Sequence, residues 1–489
     1  MRNRQSLEHS LERKETVRRG EANWAAKQLA GEKMTARERV DALLDPNSFV
    51  ELDCLFTGGG LAEGVVTGYG TINGRPAYVF AQDYTVKAGA ITKAHAAKIR
   101  KALALARKCG APVVGMFDSA GARLEEGAST VDAYSELYKD IARLSGVVPM
   151  IGVILGASVG AAAILPAMMD IVIASESSAQ WTTVGAAAVS RELDERVDPK
   201  ELGGAVAHAK RGGVSIVCPD EQTALRKARE TLALLPDNNL ENPPDSEPGD
   251  LNRKLTIVDP DAPDKLILDM LDAGTALPLC EAYAPSALTY LGRLGGQSVG
   301  VVAATGLLNA DTCRKVARFI RMCDCFNLPV ISLINTTGFA AVRSDAQTDL
   351  IKASAQLAYA VSEATCPTVR VITGDAIGAG YAVFGGRDSA DVIYAWPGAV
   401  ISPISPEAAA ALYYKDEIAS STGDVNAVRQ SLAERYASEV ADGVSAAAQG
   451  LVDDVIDPAD TRRLVIAALG MLESKRDQNP PKKHGNLPL

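Results

Sequence analysis

Short apolar runs alternate along this chain with alanine-rich or amphipathic segments. The runs at 113–117, 147–155 and 171–174 carry no charged residue and are short, which is typical of buried strands. Segments with a helical pattern precede the first two runs, at 94–109 and 131–144. This alternation of strands and helices predicts an α/β fold.

Turn and cap residues indicate where several elements begin and end. Two β-rich runs flank Asn73-Gly74, which predicts a hairpin over 65–81. Gly110 follows the first helical segment and is expected to end it. Residues 1–45 are rich in charge and are predicted to be helical and solvated.

The second half of the chain repeats the order of elements in the first. Residues 328–338 match 111–121, and residues 366–378 match 148–160, with prolines and glycines in register. Two copies of one α/β domain explain this better than a solenoid, which needs shorter and more numerous repeats. The polar stretch 236–250, rich in Pro and Asn, is the best candidate for a linker between the copies.

A run of small residues at 156–163 stands at the centre of the first copy. Small residues between a strand and a helix let a ligand approach the backbone closely. The first N–H groups of a helix have no partner inside it, and two of them aimed at one point form an oxyanion hole. We expect this turn to hold a thioester oxygen while it carries negative charge. The repeat places a second glycine turn at 374–381, which suits a reaction with two developing anions.

Composition narrows the class of protein. The net charge of −10 argues against a nucleic-acid partner. The eight cysteines form no CxxC pair, which makes a zinc ribbon or a disulfide framework improbable and a reducing cytoplasm the simplest compartment. Residues 1–33 have no apolar signal-peptide core. The uncharged stretch 144–169 is long enough to cross a membrane, but its prolines and glycines favour a strand, a turn and a helix.

Several longer motifs carry a family resemblance from about Gly31 to the C-terminus. They are GEKMTARERV at 31–40, GVVTGYG at 64–70, VFAQDYTV at 79–86, DSAGARLEEG at 118–127, ELGGA at 201–205 and AWP at 395–397. With these motifs the chain resembles the biotin-dependent acyl-CoA carboxyltransferases. That family includes the β subunits of propionyl-CoA and acetyl-CoA carboxylases and the α subunits of sodium-pumping acyl-CoA decarboxylases.

The resemblance implies two tandem crotonase-like (ClpP/crotonase) domains related by internal duplication. The N-terminal domain, at 1–240, would bind the acyl-CoA, and the C-terminal domain, at 251–489, would receive biotin. Biotin would arrive on a separate carboxyl carrier protein that is loaded by a biotin carboxylase subunit, and no metal is expected. The resemblance also implies a homohexamer, or a hetero-oligomer of related subunits, whose active sites form between chains.

The same resemblance assigns residues to the two half-sites. The N–H groups of Gly160 and Ala161 would stabilise the enolate, and those of Ala379 and Gly380 the biotin anion. The remaining candidates are Ala120, Gly121, Arg123, Gly156 and Ala382 for the substrate, and Gly338, Phe339, Gly378 and Tyr381 on the biotin side. None of the four histidines lies in a glycine turn, which fits catalysis by backbone groups better than a Ser–His system.

Departures from the family pattern concentrate on the biotin side and leave alternatives open. Ala382 stands where the family commonly has Asp, at a position associated with acyl-chain choice, so the acyl chain stays open. The chain could also serve as the α subunit of a decarboxylase complex or as a non-catalytic scaffold. Gly156 and Gly160 could serve only tight packing, and Asp118 and Arg123 could form an ordinary loop ion pair.

Overall fold

Two compact units make up the chain, Met1–Asn242 and Pro243–Leu489. The computed structural model describes residues 2–19, 26, 28, 33–58, 60, 62–421 and 424–487. The first two residues of the motif at 31–40, and parts of the predicted helical N-terminus, therefore lie outside the described residues.

The first unit is built on an eight-stranded sheet. Its strands β1–β8 span Val50–Leu52, Val65–Ile72, Arg75–Gln82, Val113–Ser119, Met150–Val159, Ile171–Ser175, Gln180–Thr182 and Ile216–Cys218. Its α-helices span Arg2–Arg19, Ala36–Leu43, Lys93–Cys109, Ala128–Leu144, Ile164–Ala167, Ala186–Leu193, Pro199–Gly203, Ala205–Ala209 and Glu221–Ala233. Short 3₁₀ helices span Lys87–Gly89, Leu124–Glu126 and Gly160–Ala163.

The order of strands in this sheet is β1-β2-β3-β4-β5-β6-β8, and β7 pairs with the end of β5. Strands β1 to β3 are antiparallel and the others parallel. The predicted hairpin is confirmed: Asn73 and Gly74 both have positive φ, as a two-residue turn between twisted strands requires. The helix that Gly110 was predicted to end does stop there, with Gly110 in the left-handed conformation at φ 62°.

The second unit has an eight-stranded sheet of the same design. Its strands β9–β16 span Leu277–Leu279, Ala287–Leu294, Gln297–Leu308, Val330–Phe339, Thr368–Ile377, Val392–Ala395, Val400–Ser402 and Asp454–Val455. Its α-helices span Pro263–Met270, Ala310–Cys325, Ser344–Glu363, Gly378–Ala382, Pro406–Tyr413, Lys415–Ser420, Val425–Glu439, Gly443–Ala448 and Thr461–Leu472. Short 3₁₀ helices span Arg387–Ser389 and Pro458–Asp460.

Strand order confirms that the two units are copies of one α/β domain. The second sheet runs β9-β10-β11-β12-β13-β14-β16, with β15 beside β13, which repeats the first sheet strand for strand. A buried lysine recurs as well. Lys98 donates from Nζ to the carbonyl oxygen of Val65 at 2.8 Å, and Lys315 donates to that of Ala287 at 2.7 Å. Each bond ties a crossover helix to the first residue of the second strand, and burial lowers the pKa of Lys315 to about 8.

One predicted boundary is wrong in a way that affects the site. The strand expected at 147–155 begins at Met150 and continues to Val159. Its last three residues pair with β7, a contact that the local sequence does not reveal. The turn is therefore confined to Gly160–Ala163. In the described part of the chain, no helix has the length and apolar character needed to span a bilayer.

His95 makes the stability of the first unit sensitive to acid. Its side chain is fully buried, and within the described residues neither ring nitrogen has a hydrogen-bond partner. Burial, assisted by the charges of Lys98 and Arg123, lowers the pKa of His95 to about 3. An unfolded histidine has an ordinary pKa of about 6.5, so the unfolded chain binds more protons than the folded one between these two values.

We therefore expect acidification below about pH 6.5 to cost about 1 kcal/mol of unfolding free energy per pH unit through this group. His95→Leu removes the titrating ring, so its stability should fall less steeply between pH 6.5 and 5 than that of the wild type. Urea unfolding at several pH values measures both slopes. Equal slopes in the two proteins would contradict the assignment.

Candidate functional site

The first glycine turn is a short 3₁₀ helix at the carboxyl end of β5. Gly160 has φ 69°, a conformation that residues with a side chain rarely adopt. No heavy atom lies within 4 Å of the place where its Cβ would stand, so conformation rather than space requires glycine there. Ala161 is exposed and Gly160 half-buried. The turn thus presents its first peptide groups at the surface, and their role as donors stays a prediction.

Side chains from three elements hold this turn by its carbonyl oxygens. Each donates one hydrogen bond to one of three successive residues. The pairs are Tyr138 with Ala161 at 2.6 Å, Ser158 with Ala162 at 3.2 Å, and the indole of Trp181 with Ala163 at 2.6 Å. Because each peptide group is planar, hydrogen bonds that hold these carbonyl groups also restrain the direction of the neighbouring N–H groups.

Tyr138→Phe should lower kcat of the carboxyl-transfer reaction by about fivefold, since it removes one hydrogen bond of about 1 kcal/mol from the turn. Tyr134 offers a matched control. It lies one helical turn earlier, stacks on Tyr138 with ring centroids 6.2 Å apart, and its buried hydroxyl has no partner among the described residues. Tyr134→Phe should therefore leave kcat unchanged. Equal activities of the two variants in a steady-state assay would contradict the role of Tyr138.

A buried ionic cluster lies behind the same strand. Asp118, at the end of β4, accepts a hydrogen bond on Oδ1 from the amide of Ala157 at 3.2 Å. Its Oδ2 accepts from Lys33 at 2.6 Å and from Arg39 at 2.9 Å. Arg39 is fully buried and also binds both carboxylate oxygens of Glu221. The cluster thus connects the helix Ala36–Leu43 to the two strands that lead to the site.

Gly156 and Arg123 have contacts other than those considered from sequence. A Cβ on Gly156 would lie 2.0 Å from Asp118 Oδ1, so glycine there makes room for the carboxylate. Gly156 is itself buried within β5. Asp118 and Arg123 do not form the loop ion pair that was considered. Arg123 instead has Nη1 3.9 Å from Glu63, and two of its other nitrogens lack a partner within the described residues.

The loop 120–123 lies beside the first glycine turn. Gly121 is buried with φ 104°, and a Cβ on it would lie 3.2 Å from the carbonyl oxygen of Val159. Backbone bonds join the loop to 88–91: Ala120 donates to Ala88 and Ile91 donates to Gly121. Exposed Ala120 and half-buried Arg123 complete the loop. Four of the predicted residues, Ala120, Gly121, Gly160 and Ala161, are therefore neighbours.

The second glycine turn repeats this frame in the second unit. It is the helix Gly378–Ala382, which follows β13, and Gly378 has φ 58°. A Cβ on Gly380 would lie 2.7 Å from the Cα of Gly338, so the two backbones are in close contact. Ala379 and Ala382 are exposed, and Tyr381 and Phe339 are half-buried.

An amide takes the place of the acid behind the second turn. Asn335 occupies the position that Asp118 has in the first copy, and its Oδ1 accepts from the amide of Asp375 at 2.9 Å. Its Nδ2 donates to the carbonyl oxygen of Pro260 and to Asp261. In both units a side-chain oxygen at this position accepts from a backbone amide of the strand that leads to the turn. In the first unit the side chain also belongs to an ionic cluster, and in the second it does not.

The sequence of the chain is similar to that of a known family. A family model described as the carboxyl transferase domain matches residues 27–487. The chain belongs to this carboxyltransferase family. A propionyl-CoA carboxylase carboxyltransferase subunit from Haloferax mediterranei is 39% identical over 98% of both chains. A methylmalonyl-CoA decarboxylase subunit alpha from Veillonella parvula is 38% identical over 95% of this chain and 94% of its own length.

A solved structure supports the same assignment. The transcarboxylase 12S crystal structure, a hexamer with methylmalonyl-coenzyme A and methylmalonic acid bound, matches this carboxyltransferase with a TM-score of 0.94 and 34% identity. The match covers 99% of this chain and 98% of that one. The predicted family and the predicted fold, two tandem crotonase-like domains, are both confirmed.

Acidic groups surround the second turn of this carboxyltransferase. Asp375 precedes the turn, and its pKa is raised by burial and by repulsion from Glu407 and Asp261. These acidic groups near the second turn were not predicted from the sequence. Nor were Tyr138, Ser158 and Trp181, although a tyrosine and a tryptophan with polar tips in otherwise apolar elements are a signal for buried hydrogen bonds.

Proposed function

We propose that this carboxyltransferase moves a carboxyl group between carboxybiotin, held on a separate carrier protein, and an acyl-CoA. One observation carries the proposal: each unit presents a glycine turn with positive φ at the carboxyl end of the fifth strand of its sheet. The relatives named for propionyl-CoA and methylmalonyl-CoA favour a short acyl chain as the substrate class.

The N-terminal unit would receive the acyl-CoA. The N–H groups of Gly160 and Ala161 would donate to the thioester oxygen as it becomes an enolate oxygen, which is where charge develops. The loop with Ala120, Gly121 and Arg123 would lie along the substrate. The turn Gly160–Ala163 itself carries only small side chains, which would let the thioester come within hydrogen-bond distance of the backbone.

The C-terminal unit would receive biotin. When bound there, carboxybiotin would supply the CO2 and an anionic base for the α-proton of the acyl-CoA. The N–H groups of Ala379 and Gly380 would stabilise that anion. The contact between Gly380 and Gly338, which leaves no space for a Cβ, keeps this turn packed against the end of β12. Gly378, Phe339 and Tyr381 would surround the ring, and Ala382 would leave room for the acyl chain.

The proposal also includes the partner proteins of this carboxyltransferase and its location in the cell. A biotin carboxyl carrier protein and a biotin carboxylase subunit would supply the carboxyl group. A homohexamer, or a hetero-oligomer with related subunits, would complete active sites between chains, as the hexameric transcarboxylase 12S suggests. A cytoplasmic location suits eight cysteines without paired spacing. The similarity to decarboxylase α subunits makes the reverse reaction, transfer of the carboxyl group from a carboxy-acyl-CoA to biotin, the second candidate function.

A direct assay tests the proposal. Purified protein is incubated with free biotin and malonyl-CoA or methylmalonyl-CoA, and the loss of the carboxyl group is followed by separation of the CoA esters. We expect loss that depends on both biotin and protein. A folded oligomer that is inert toward every carboxy-acyl-CoA, with free biotin and with a biotinylated carrier, would instead support a scaffolding role.

A further inference from the structure

Arg370 is a buried cation beside the second glycine turn. It lies on β13 and is 3% exposed. Its Nη1 donates to the carbonyl oxygen of Gly385 at 2.6 Å and to that of Gly386 at 3.5 Å, and its Nη2 donates to Phe384. These carbonyl groups follow the end of the helix Gly378–Ala382, and that of Gly386 also accepts from the amide of Ser389 at 3.1 Å.

No carboxylate neutralises this guanidinium. Among the described residues none forms an ion pair with Arg370, and the centroid of the Tyr381 ring is 5.9 Å from its Cζ. Burial lowers the pKa of Arg370, although an arginine stays charged at neutral pH. A buried charge without a counter-ion is costly, so its retention calls for a specific reason.

The first unit has no charged side chain at the position that corresponds to Arg370. Gly152 occupies the position of Arg370 there, and a Cβ on it would lie 3.2 Å from the side chain of Met169. Apolar side chains, those of Met169 and Phe117, therefore fill the space beside Gly152. That turn is held instead by Tyr138, Ser158 and Trp181. The arginine is thus a feature of the second half-site alone.

We propose that Arg370 is a positioning residue for the biotin half-site. By fixing the carbonyl groups that follow the helix Gly378–Ala382, it holds the whole short segment and so sets the direction of the Ala379 and Gly380 N–H groups. Its positive charge also complements the negative end of these peptide dipoles. The inference rests on the proposed function, because it gives these two N–H groups the biotin anion as their target.

Arg370→Met keeps the length of the side chain and removes its charge and donors. We expect it to lower kcat/KM for free biotin by about 30-fold, while KM for methylmalonyl-CoA changes by less than about twofold. Arg370→Lys keeps the charge, but its single ammonium group cannot reach three carbonyl groups. We expect it to lower kcat/KM for free biotin by about fivefold. The lysine variant keeps the test available if the methionine variant fails to fold.

Arg462→Met is the matched control. Arg462 is 2% exposed in the same unit and also donates to backbone carbonyl groups, those of Met270 and Asp250, but unlike Arg370 it forms an ion pair, with Asp272 at 2.6 Å. Its replacement should reduce thermal stability and leave unchanged the ratio of kcat/KM for free biotin to kcat/KM for methylmalonyl-CoA. If Arg370→Met lowers kcat/KM for biotin and for methylmalonyl-CoA equally, as Arg462→Met does, Arg370 only stabilises the fold. That result would overturn the proposal.

Hydrogen exchange separates this inference from the proposed function. Residues 378–386 should exchange faster in Arg370→Met than in the wild type, whereas residues 160–167 should not change. An active wild type with unchanged biotin kinetics in Arg370→Met would overturn the inference and leave the proposed function intact. A wild type inert in every assay would overturn the proposed function and the positioning role together, while exchange would still report whether Arg370 holds the segment.

Discussion

Ala161→Pro should lower kcat by about 10²–10³-fold and leave the protein folded. Proline has no N–H, so the variant lacks one of the two donors proposed for the enolate oxygen. The first turn of a helix tolerates proline, because its N–H groups have no partner inside the helix. Ala161 is exposed, so the ring has space.

Ala161→Ser is the matched control for this prediction, because it keeps the N–H group at similar size. Its kcat should stay within about threefold of the wild type, since no transition-state hydrogen bond is lost. Circular dichroism and the oligomeric state establish that both variants fold. A proline variant as active as the serine variant would rule out the Ala161 amide as a donor.

Asp118→Asn should destabilise the first unit by about 3–5 kcal/mol. The cluster of Lys33, Arg39, Asp118 and Glu221 balances two cations with two carboxylates, and Arg39 and Asp118 are completely buried. The asparagine still accepts the amide of Ala157, but its Nδ2 is a donor and can no longer accept from Lys33 and Arg39, so the change removes the charge and both of these hydrogen bonds. An excess positive charge then remains beside the fully buried Arg39.

Lys33→Met added to Asp118→Asn should recover part of this loss, because it restores the charge balance. Urea unfolding of the single and double variants, followed by circular dichroism, measures the coupling. Asn335 indicates that an amide fits this backbone frame where no cationic pair is present. Single and double variants of equal stability would contradict the idea that charge balance stabilises this region.

The elements that local sequence controls could be predicted. Asn73-Gly74 requires positive φ at both residues and therefore gives the hairpin, and Gly110 ends a helix for the same steric reason. The duplication was visible because prolines and glycines stay in register between the halves. The glycine turns could be found for the same reason.

The contacts between distant residues could not be predicted. The extension of β5 to Val159 depends on β7, which lies about twenty residues further along the chain. Arg39 reaches Asp118 and Glu221 across separations of 79 and 182 residues. A periodic pattern shows that a position is buried but does not identify its partner, so the ionic cluster and the donors of the turn needed the structure.

The paired lysines bear on the history of the molecule. Lys98 and Lys315 make the same bond at the same place in both halves. A feature that two copies share is most simply inherited from their common ancestor, so a single-domain precursor already contained this lysine. Arg370 and the acid at Asp118 occur in one copy each, so at these two positions the halves of the present chain differ in charge.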